Sequence, residues 1–112
     1  MTALKLIETS PGKYSLLLNA GTTGVDDVIE GLGHEPNGYF WAGVARLLVS
    51  TEAPALDGRF SYDPEAGMFC AYGTDRAALE ALSKLLAPVT TDADQARKVV
   101  ELANAKGVEL DD

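Results

Sequence analysis

The chain has 112 residues, 46% of them hydrophobic and 23% charged, the composition of one ordinary globular domain spanning 1–112. Nine basic residues stand against seventeen acidic ones, and a net charge of −8 argues against binding nucleic acid or anionic membrane surfaces through Lys/Arg contacts to phosphate. One cysteine excludes an internal disulfide framework, and no apolar run is long enough for a transmembrane helix.

Leu4 to Glu8 reads as a short strand, and the preceding Met1, Thr2 and Ala3 show no signal-peptide architecture. Ser10-Pro11-Gly12 is a turn, and Tyr14 to Ala20 forms a second strand made more apolar by Leu16, Leu17 and Leu18. After Gly21 a short helix is expected, capped by Thr22 or Thr23, with Val25, Val28, Ile29 and Leu32 inward. Asp26, Asp27 and Glu30 fall on its other side. A loop through His34 leads to a helix from Tyr39 to Ser50. Phe40, Trp41, Val44, Leu47 and Leu48 form its inner face, and Tyr39, Gly43, Arg46 and Ser50 its outer face.

Arg59–Asp63 and Met68–Tyr72 read as a hairpin. Thr74 is the expected cap of a third helix, with Asp75 in its first turn, and Pro88 the expected stop. A fourth helix starts at Thr91 or Asp92 and ends before Gly107. The order ββααββαα predicts an α+β fold: a four-stranded, mainly antiparallel sheet with helices packed on one face. The repeated strand–glycine–threonine–helix pattern suggests an internal duplication, which common loop chemistry explains equally well.

Catalytic chemistry finds little support. Cys70 and His34 are the only residues of their kinds, and Cys70 is expected as an inert thiol buried in a strand. The Cys and His count is too small for a zinc site, and no EF-hand calcium loop occurs. The expectation is therefore no catalytic, cofactor or metal residues. The Gly21-Thr22-Thr23-Gly24 turn lacks a P-loop lysine and is followed by Asp26 and Asp27, which disfavour phosphate.

Charge distribution is more informative. Gly21 to Gly43 holds Asp26, Asp27, Glu30 and Glu35 and no Lys or Arg. With Asn37 and Tyr39 alongside, these six residues are the expected partner-binding surface, suited to a basic protein. The bland reading is a solvated helix face.

The run Pro36-Asn37-Gly38-Tyr39-Phe40-Trp41-Ala42-Gly43-Val44-Ala45-Arg46 resembles a family of bacterial immunity proteins, immunity protein 51. Gly67-Met68-Phe69-Cys70-Ala71-Tyr72-Gly73 followed by Ala77-Ala78-Leu79-Glu80-Ala81-Leu82 is similar to the pattern that family carries after its second hairpin. The likeness extends from about Leu4 to Leu86, and Ala42 departs from it where the family usually has an acidic residue. The resemblance implies a noncatalytic cytoplasmic protein that binds and neutralises a cognate toxin of a polymorphic toxin system. A nuclease with a basic cleft would suit the charge. The alternatives are a small enzyme or ligand-binding domain, with a pocket between sheet and helices, and a dimer built on an open sheet edge.

Overall fold

A computed structural model describes residues 4–110. Strands β1 (Leu4–Ser10) and β2 (Lys13–Asn19) form a hairpin, followed by helices α1 (Asp26–Gly31) and α2 (Gly38–Glu52). Strands β3 (Ser61–Tyr62) and β4 (Met68–Gly73) come next, then α3 (Arg76–Thr91) and α4 (Ala93–Lys106). The sheet is antiparallel throughout, in the order β1-β2-β4-β3. The expected α+β architecture is thus observed.

Register decides which side chains are shared between layers. Leu4, Leu18 and Phe69 pair across one row, and Leu6, Leu16 and Ala71 across the next. All of them point towards the helices, and Leu16, Leu18, Phe69 and Ala71 are fully buried. Helices α2 and α3 pack on this face, and α4 packs on α3 and α1. Phe40 and Trp41 of α2, perpendicular to one another at 5.3 Å, fill the centre with Leu79, Leu82 and Leu86 of α3. With the interlayer space filled in this way, the sheet–helix interior is a packed core.

Local chemistry sets the helix ends, and several differ from the sequence reading. Neither Thr22 nor Thr23 caps α1. Thr22 donates to the Asn19 carbonyl, Thr23 donates to the Asp26 carboxylate, and the helix starts only after Val25, which is drawn into the core. Leu32, expected inward, is exposed because the helix has already ended. Asp75, not Thr74, caps α3: its carboxylate accepts from the Ala78 N–H at 3.0 Å and also pairs with Arg59. Both contacts, the backbone one foremost, hold its carboxyl below the usual range.

Pro88 does not stop α3. Its ring fits a helical φ, and its missing N–H strands only the carbonyl of Lys84, where both residues are exposed to water. Buried Val89 and Thr90 hold the last turn to the core, and the hydroxyls of Thr90 and Thr91 both bond the Ala87 carbonyl. The chain breaks instead at Asp92, whose extended backbone ends α3 and whose side chain accepts from the Asp94 N–H to begin α4. The expected first strand of the second hairpin shrinks to two residues. Gly58 turns with a positive φ just before it, and Pro64 follows just after.

Candidate functional site

Three hydrogen bonds fix the start of α2 and the β3–β4 turn beside it. Asn37 adopts an extended conformation and its Oδ1 accepts the Phe40 N–H at 2.8 Å, capping α2. The Gly38 N–H donates to the Ala66 carbonyl at 3.1 Å, and the Ala20 N–H donates to the Gly67 carbonyl at 3.0 Å. The β3–β4 turn is therefore held between the end of β2 and the start of α2.

That arrangement encloses a surface concavity of about 560 Å3. Asp26, Asp27 and Glu30 line it from α1, Glu35 and Asn37 from the following loop, and Ala20, Gly21, Ala66 and Gly67 from the sheet end. Five of the six expected partner residues thus meet around one space. Tyr39, the sixth, lies outside its lining; it stands 43% exposed in the first turn of α2. Asp27, Glu30 and Glu35 are exposed, whereas Asp26 is half-buried and engaged by Thr23. Asn37 likewise spends its side-chain oxygen on the helix cap.

The walls supplied by Ala66 and Gly67 went unread in the sequence. Nothing local couples a turn near residue 66 to a helix at residue 26, and the only sequence signal is Gly38. A Cβ there would fall 1.9 Å from the Glu65 carbonyl oxygen, so the turn can approach only a glycine. Among the described residues no three of His, Cys, Asp and Glu are grouped closely enough to hold a metal ion.

Cys70 and His34 are not partners. Cys70, expected as a buried thiol, is only half-buried: it lies on the sheet face away from the helices, because its register pairs it with Leu17 rather than Leu16 or Leu18. Burial still pushes its thiol pKa up. His34 packs on Phe40, on the helix side, with ring centroids 5.6 Å apart. Gly43, expected on the outer face of α2, is also buried, beneath the backbone of Leu110.

A family model matches residues 4–105, nearly the whole chain: Imm51, immunity protein 51. The chain belongs to the immunity protein 51 family. No curated protein and no solved structure matches it. The Asn37-Gly38-Tyr39-Phe40-Trp41 run that carries the family likeness divides into structural tasks: a cap, a close backbone approach and two core aromatics, with Tyr39 alone left on the surface. Among the described residues no helix is long and apolar enough to cross a membrane.

Proposed function

We propose that the chain is a noncatalytic inhibitor that binds its cognate toxin domain in the cytoplasm of the producing bacterium, with the acidic concavity as the docking site. The observation that carries this reading is the convergence of Asp26, Asp27, Glu30 and Glu35 on one concave surface, with no Lys or Arg in its lining. Carboxylates of one sign around a concavity raise the local potential and steer a basic partner. A nuclease toxin, whose cleft must attract phosphate, is the class of partner that fits. Tyr39 stands beside this rim as an amphipathic contact of the kind interfaces use as an anchor.

The test is capture of the partner from the producing strain, followed by recombination of the purified toxin domain with the purified chain. Stoichiometric loss of toxin activity, with an association rate that falls as salt rises, is the expected result. Full toxin activity in the presence of saturating chain would overturn the reading.

A further inference from the structure

The sheet has a second face, and it does not look like a face meant for water. A solvated antiparallel face alternates cleanly with the buried one. Here the face away from the helices carries Ile7, Leu17, Met68 and Cys70, all half-buried, and Tyr72, 44% exposed. None of these belongs to the hydrophobic core or packs against it.

The register gives this face a pattern. Lys5 pairs with Leu17, Leu17 pairs with Cys70, and the Asp63 N–H donates to the Cys70 carbonyl at 3.0 Å. Asp63 and Cys70 line a common hollow with Ser15 and Tyr72. One row across the sheet therefore reads cation, apolar, apolar, anion. The remaining charge on this hollow is Lys13, at its rim. The face is not acidic, in contrast to the concavity at the end of the sheet.

An isologous interface needs a patch complementary to itself. A half-turn about an axis parallel to the strands reverses the row: Lys5 then faces Asp63 of the other copy, and Leu17 faces its Cys70. Sheets pack face to face at about 10 Å, a gap that an extended lysine and an aspartate bridge together. We infer that the open sheet face is the docking surface for a second copy of this chain, giving a dimer with two sheets at its centre and the helices outside. The acidic concavities stay free at the sheet ends, so this inference is independent of the toxin reading.

Sedimentation equilibrium at about 0.15 M salt, where the mutual repulsion of two acidic chains is screened beyond about 8 Å, tests it. The wild type is expected to run as a concentration-dependent dimer, and Leu17→Lys as a monomer with an unchanged circular dichroism spectrum. Lys5→Asp and Asp63→Lys, both at exposed positions, should each weaken the dimer about tenfold, because each disturbs two symmetric pairs. Combining the two restores the pairs with signs exchanged and should restore the dimer. Labelling of Cys70 by a thiol reagent should slow as protein concentration rises, and only in chains that dimerise. A wild type that stays monomeric at every concentration overturns the inference, as does a dimer indifferent to Leu17→Lys or single reversals that the combined variant does not repair. A monomer whose Leu17→Lys variant releases the captured toxin also overturns it, by assigning the face to the toxin.

Discussion

Gly38 and Glu65 meet backbone to backbone. A Cβ on Gly38 would stand 1.9 Å from the Glu65 carbonyl oxygen and 2.3 Å from that of Met68, so the first turn of α2 and the β3–β4 turn share space only because residue 38 has no side chain. Both obstructing atoms are backbone and cannot rotate away. Gly38→Ala should therefore cost about 3 kcal/mol, the upper range for overpacking, and open the acidic concavity by displacing Ala66 and Gly67. Chemical denaturation measures the first effect. A loss of toxin affinity in the fraction that remains folded measures the second.

Trp41 is fully buried, and among the described residues its indole Nε1 has no hydrogen-bond partner. Trp41→Ala should cost roughly 3–5 kcal/mol through the cavity it leaves. Trp41→Phe should cost clearly less, because it also removes a buried donor that lacks an acceptor. Equal losses for the two variants, read from urea midpoints, would show that the indole N–H is satisfied in solution.

Asn37 lines the concavity while capping α2. Asn37→Ala should destabilise the fold by about 1 kcal/mol. Asn37→Asp keeps an oxygen acceptor at the cap and adds a carboxylate to the concavity. It should leave stability nearly unchanged and speed toxin association at low salt, which stopped-flow mixing would show.

Asp27, Glu30 and Glu35 are exposed, so their reversal to lysine should move stability by no more than about 0.5 kcal/mol. Association with the toxin should slow, and its salt dependence should flatten. Asp26→Lys differs, because it also breaks the contact with Thr23. Tyr39→Ala should act on the dissociation rate instead. Rates measured at two salt concentrations separate these effects, and unchanged rates throughout would move the interface elsewhere.

Tyr62 gives the fold an alkaline limit. Burial, opposed by the Arg46 guanidinium 4.8 Å from its ring centre and aided by Asp57, pushes its pKa up from 10.0 to about 12. A pKa raised in the folded state favours folding below the unfolded value. That contribution should fade as pH rises from about 10 to about 12, where the unfolded chain ionises first. Tyr62→Phe should flatten this part of the stability profile, measured by thermal melts across that range.

The sequence by itself determined the element order, the antiparallel α+β architecture and most of the inward-facing residues. These follow from short-range periodicity: Leu16 and Leu18 on a strand, Phe40, Val44 and Leu47 on a helix, Gly107 with its left-handed backbone closing α4. It also marked the acidic segment, since charges close in sequence on one helix and its loop stay close in space. What it left open was decided by contacts between distant segments. Pro88 reads as a stop until the burial of Val89 and Thr90 holds the helix through it. Gly43 reads as an outer residue until Leu110 returns across α2 and takes the space a side chain would need. Leu17 reads as one more core leucine until strand pairing sets it opposite Lys5 and Cys70, on the face the helices leave open. Pairing register and chain return are tertiary quantities, because each depends on which distant backbone finally lies alongside, and no local pattern encodes that choice.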